Sequence, residues 1–138
     1  MIYLGIDPGK TGALAIPDCR LVEDMPNGPH ALLELLSTWP ASVTAVIERQ
    51  QAMPVTGRAA SFVIGEGYGI IQGVLAARRV PYRIINAATW KRQMGLTADK
   101  EMVRAKAREL FPWAELHLKK HEGRAHALML AEWGRRFA

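Results

Sequence analysis

The chain has 138 residues, 49% of them hydrophobic and 22% charged, with 12 Gly and 8 Pro; this length suits one domain and this composition excludes a disordered or collagen-like chain. The net charge of +5 is unevenly spread: residues 1–77 carry four Lys/Arg against seven Asp/Glu, and residues 78–138 carry fourteen against six. A basic excess confined to one half is the footprint of a polyanion binder, which releases a counterion for each phosphate it neutralises, or else a merely soluble basic surface.

The start, Met1 to Ile6, lacks the basic residues and long apolar stretch of a leader, and no apolar run reaches the roughly 18–20 residues of a membrane helix. The lone Cys19 has no intramolecular disulfide partner, and no Cys/His spacing fits zinc, so a reducing cytoplasm and no membrane partner are expected. Ile2–Ile6 reads as a strand that runs into the turn formers Asp7-Pro8-Gly9-Lys10-Thr11-Gly12. Ala13–Ile16 and Leu21–Val22 continue it as a β-meander. His30–Trp39 follows as an amphipathic helix with Leu32, Leu33, Leu35 and Leu36, ended by Pro40. Val43–Ile47 is an apolar strand closed by Glu48, and Arg49–Arg58, with Pro54 and Gly57, is a polar loop.

Ala59–Arg78 is long enough for a five-turn helix although Gly65, Gly69 and Gly73 each cost about 1 kcal/mol relative to alanine. Spaced by four, they make one smooth face, which either packs on the chain's own sheet or meets a second copy. Tyr82–Ile85 is the next strand. Asn86 can cap a short helix through Met94, and Thr97 or Asp99 can cap another over Lys100–Phe111, stopped by Pro112. The last helix spans Glu122–Arg135. A meander followed by alternating helices and strands predicts one domain, residues 1–138, built on a mixed sheet with helices over its faces.

Asp7 and Glu48 close two strands, and Glu122 and His126 lie one turn apart on the last helix, on one face. Ala127 to Ala131 is apolar nearly all round, so that helix is expected to bury itself against the sheet with acid and imidazole pointing inward. Inward carboxylates without a buried lysine need a cation. Magnesium or manganese suits such oxygens, and two ions about 3.5–4 Å apart can activate water and stabilise the leaving oxygen in phosphodiester cleavage. Each residue also has a plain structural reading: Asp7 as a turn cap, Glu48 paired with Arg49 or Arg58, and Glu122 with His126 as a helical pair worth about 0.2–0.5 kcal/mol.

Gly9-Lys10-Thr11 has the look of a nucleotide-binding loop, but that motif needs glycine where Leu4 stands and a helix where a strand follows, so no nucleotide cofactor is expected. Trp90-Lys91-Arg92 offers a stacking ring beside two cations, and Lys100, Arg104 and Arg108 form a stripe along one helix face. With Arg49, Gln51 and Arg58 after Glu48, and Lys119 and Lys120 before the last helix, these are the candidate nucleic-acid contacts. Such a stripe is more often a solvated helix face, and a tryptophan such as Trp90 is more often a core residue than a base-stacking platform.

Gly5-Ile6-Asp7-Pro8-Gly9 with Gly12, Val46-Ile47-Glu48, the glycine-spaced helix from Gly65 to Gly73, Thr89-Trp90-Lys91-Arg92 and the closing Lys119–Glu132 together resemble one family over essentially the whole chain. It is the RuvC-type Holliday-junction resolvases of the ribonuclease-H-like superfamily, in the form carried by bacteriophages. The resemblance implies an α/β fold with a central mixed five-stranded sheet flanked by helices. It also implies a homodimeric, magnesium-dependent endonuclease that cuts two strands of a four-way DNA junction symmetrically, by direct attack of water on phosphorus. Asp7 and Glu48 match the family's first two metal ligands. The family's last helix usually presents an acid in the step Ala-Asp/Glu-Ala-Leu and an Asp or His one turn earlier. Here Ala125-His126-Ala127-Leu128 puts histidine at the acid's position and Glu122 a turn before it, so acid and imidazole look exchanged. Glu122 and His126 carry over as ligands or base, with His121 in reserve. Where some members place an aromatic that stacks into the opened junction, this chain has Gln50, Gln51 and Met53, which implies weaker strand opening. Two other outcomes stay open: a junction-binding protein without catalysis, and a related nuclease for RNA–DNA hybrid or flap DNA.

Overall fold

Alternating apolar residues divide the strands between two faces of one sheet. The computed structural model, which describes residues 1–138, has five strands: β1 (Tyr3–Asp7), β2 (Ala13–Ile16), β3 (Leu21–Asp24), β4 (Thr44–Glu48) and β5 (Tyr82–Ile85). Their order is β3-β2-β1-β4-β5. β2 pairs antiparallel with both β1 and β3, whereas β4 runs parallel to β1 and β5, with Gly5 opposite Val46. This is the mixed five-stranded sheet expected.

On one face, Leu4, Ile6, Leu14, Ile16, Ala45 and Ile47 pack against Leu32 and Leu36 of α1 (Pro29–Ser37) and Ile71 and Leu75 of α2 (Arg58–Ala77). On the other, the strands offer mainly small residues, Gly5, Ala13 and Ala15 with Val46, and α5 (Glu122–Phe137) lies over them. The approach is close: a Cβ on Gly5 would stand 1.8 Å from the Ala127 carbonyl oxygen, and one on Gly134 would stand 2.6 Å from the Tyr3 ring. α3 (Ala87–Gln93) and α4 (Lys100–Leu110) complete this layer through Trp90, Val103 and Ala107. Because Asp7 shares the parity of Gly5, and Glu48 that of Val46, both acids project on the α5 side, where neighbouring parallel strands end.

Several expectations are refined. α1 begins at Pro29, after Gly28 with φ 92°, and α5 runs to Phe137. Asp99 caps α4, its Oδ1 accepting from the Glu101 N–H at 2.9 Å, while Thr97 accepts from the Asp99 N–H instead. Asn86 occupies the α3 N-cap but its side chain makes no capping bond. The glycines of α2 do not pack on the chain's own sheet: a Cβ added to Gly65, Gly69 or Gly73 meets nothing within 4 Å, and neighbouring Phe62 is 70% exposed. Contrary to the reading of apolar runs, α2 is long and apolar enough to cross a membrane by length and composition, since only Arg58 and Glu66 interrupt it with charge.

Candidate metal and nucleic-acid site

Three carboxylates and an imidazole from three elements meet at the sheet end. Asp7, Glu48, Glu122 and His126 line one cavity of about 590 Å³ together with Pro8, Thr11, Gly123 and the lysines Lys91, Lys100, Lys119 and Lys120. The turn after β1 builds one wall. Gly9 has φ +105°, and a Cβ on Gly12 would stand 1.9 Å from the Asp7 carbonyl oxygen, so the tight return needs both glycines. A Cβ on Gly123 would stand 2.2 Å from the Thr11 carbonyl oxygen, so this glycine lets the first turn of α5 seat directly on that wall.

Burial, followed by repulsion from Glu48, pushes the Asp7 carboxyl up to about 8, with Lys91 and Lys100 pulling the other way. Glu48 is held by Trp90, whose indole Nε1–H donates to Oε2 at 2.8 Å; it pairs with neither Arg49 nor Arg58. Glu122 has Lys100 Nζ 3.8 Å from its Oε2. His126 Nδ1 donates to the Glu122 backbone carbonyl at 2.8 Å, so the link between these residues runs through the main chain and not through the Glu122 carboxylate. A carbonyl can only accept, so the Nδ1 proton is fixed and Nε2 keeps its lone pair. Desolvation holds the imidazole below its usual range, which favours that neutral form.

This donor set fits a hard divalent cation. It offers three carboxylates and a neutral imidazole nitrogen, and one acid, Asp7, is destabilised as an anion by burial and then by the neighbouring Glu48 charge, a cost that a bound cation would offset. No three acids or histidines form a closed ligand cluster as they stand; they face a cavity with room for an ion that keeps part of its water shell.

The other expected residues separate. Lys91, Lys100, Lys119 and Lys120 line the cavity, and Arg92 is exposed on α3. Arg49, Gln51 and Arg58 are exposed outside the cavity, on the loop after β4 and at the start of α2. Two expected contacts are corrected. Trp90 has no exposed surface, so no base can stack on it. Arg104 is spent on Glu101 and on the Leu116 carbonyl oxygen, which it meets at 3.0 Å, leaving no free fork for phosphate. The reserve His121 is buried outside the cavity, its Nδ1 accepting from the Leu118 N–H. Residue patterns marked Thr11 only as part of the turn after β1 and did not single out Gly123, nor Arg124, which grips Asp24 through two bonds of 2.8 and 3.1 Å and ties the end of β3 to the first turn of α5.

No protein-family model matches this chain, and no curated protein matches it. Among solved structures it is similar to RuvC of Thermus thermophilus in complex with a Holliday junction substrate, with TM-score 0.68 and 18% identity over 100% of this chain and 97% of that one. It is similar also to a Thermus thermophilus RuvC structure, with TM-score 0.64 and 18% identity over 96% and 92% of the two chains. The chain therefore has the RuvC form of the ribonuclease-H-like fold.

Proposed function

We propose that this chain is a divalent-metal-dependent endonuclease that cuts four-way or otherwise branched DNA. The observation that carries this reading is the meeting of Asp7, Glu48, Glu122 and His126 in one cavity ringed by four lysines. Bound there, magnesium or manganese, one ion or two, would supply Lewis-acid polarisation of the scissile phosphate and make water a better nucleophile. Asp7, Glu48 and Glu122 would hold the cation, and His126 Nε2 would serve as a further ligand or receive the proton of the attacking water. Lys91, Lys100, Lys119 and Lys120 would neutralise the phosphates on either side. No hydrophobic side chain lines this cavity, so it offers a fit to sugar–phosphate more than to bases, and selectivity would rest on branch shape. The Thermus protein of the same fold, seen with a Holliday junction substrate, supports branched DNA as the partner.

A four-way junction has approximate two-fold symmetry, and paired cuts need paired sites. The uncovered glycine face of α2, with Phe62 and Val63 exposed beside it, supports a homodimer joined there.

Labelled four-way junction, flap, duplex and RNA–DNA hybrid test the reading side by side. Symmetric nicks in the junction with Mg²⁺ or Mn²⁺, abolished by chelator and slowed by orders of magnitude in Asp7→Asn, are expected. Tight junction binding without cutting under any divalent ion would make this a binding protein, and faster cutting of hybrid or flap would reassign the substrate.

A further inference from the structure

β5 places Ile85 opposite Glu48, so α3, which starts two residues later, begins beside the C-terminal end of β4. Trp90 lies on the buried side of α3 with no exposed surface. A buried indole must find an acceptor for its N–H; here that acceptor is Glu48 Oε2 at 2.8 Å. The same ring meets His126 edge to face, at 5.9 Å between centroids and 88° between planes. The next residue, Lys91, lines the cavity with its Nζ 5.6 Å from the Trp90 centroid.

We propose that Trp90 is a positioning residue that fixes Glu48 and His126 for a divalent cation, an inference that rests on the function proposed above. Glutamate has three side-chain torsions, and an ion must wait for the right rotamer unless something holds it. The indole is a donor only and never titrates, so it fixes one Glu48 oxygen and leaves the other free for the cation. His126 is held at two places, by the Glu122 carbonyl at Nδ1 and by the Trp90 ring, with Nε2 left for use. One rigid residue thereby sets the spacing between an acid on the sheet and an imidazole on the helix.

Trp133 is the control. It too is buried, but its N–H donates at 2.7 Å to Gln93 Oε1, and Gln93, unlike Glu48, does not line the cavity. Calorimetric titration of DNA-free protein with Mn²⁺ should show Trp90→Phe binding about 10- to 100-fold more weakly than wild type. Trp133→Phe should match wild type, and both variants should bind four-way junction in chelator as wild type does. In wild-type protein the ¹H–¹⁵N signal of the Trp90 indole should move with Mg²⁺ and saturate with the ion's own dissociation constant, which decides the matter if Trp90→Phe fails to fold. Equal Mn²⁺ affinity in the two tryptophan variants, or an unmoved indole signal while Mg²⁺ binds, overturns the role of Trp90 alone. A folded wild-type protein that binds neither ion overturns the nuclease reading and this inference with it.

Discussion

Asp7 is the residue whose chemistry is most altered by folding. The folded protein keeps its proton up to about 8, whereas the unfolded chain releases it near 3.8. Between those values the native state binds more protons, so the stability of metal-free protein falls as pH rises from about 4 to about 8 and then levels off. Asp7→Asn removes that cost. Its melting temperature without metal should exceed that of wild type at pH 8 and match it near pH 4, while its cleavage rate drops on the order of 10²–10³-fold, as when a group that stabilises developing charge is lost. Because the cation requires the ionised carboxylate, affinity for Mg²⁺ should climb with pH up to about 8. That Asp7, Glu48, Glu122 and His126 face one cavity is legible in the sequence, because strand ends and i,i+4 spacing point them to one end of the sheet. The grip of Trp90 on Glu48, 42 positions away, is not, since a hydrogen bond between distant side chains leaves no periodic trace. The motif containing Trp90 is visible in the sequence; its orientation reverses the role, from a surface for bases to a buried brace.

At the scale of elements, the site depends on how closely α5 approaches β1. Gly5→Ala forces a Cβ into the Ala127 carbonyl, and a denaturant melt should show a loss of at least about 1–3 kcal/mol, the usual cost of overpacking. Gly69→Ala, with open space around it, should leave the isolated fold as stable or up to about 1 kcal/mol more so, by helix propensity. Equal costs at the two glycines would contradict the packing described. Apolar periodicity, turn formers and capping residues suffice to find the strands and all five helices within a few residues, since β1, β2, β4, α2 and α5 each bury a face and the short elements between them are bounded by caps and turns. They cannot show that Gly5 and Gly123 are where a helix and a turn touch main chain to main chain, since the partners lie more than a hundred residues away. A separation of 100 positions hides the Arg124–Asp24 tie in the same way.

Across the whole molecule, the acidic and basic halves meet at the cavity. Asp7 and Glu48 come from the acidic half, and Lys91, Lys100, Lys119 and Lys120 from the basic one. The charge asymmetry is plain in the sequence, but only folding brings the two signs together, setting carboxylates inside a rim of lysines. Replacing Lys119 and Lys120 with alanine should weaken junction binding for all sequences alike and flatten the salt dependence of its affinity, by about 0.9 in slope for each phosphate that is no longer neutralised. An unchanged slope would place the DNA elsewhere. Phe62→Glu, on the open face of α2, should yield monomers in sedimentation and turn paired cuts into uncoupled single nicks; a dimer that survives this charge would join through another surface. Whether four side chains share one cation is read directly by anomalous scattering from Mn²⁺-soaked crystals. A strong peak is expected within coordination distance of both Asp7 and Glu48, on the side facing Glu122 and His126. A folded protein whose manganese lies elsewhere, or touches only one of the two acids, would contradict it.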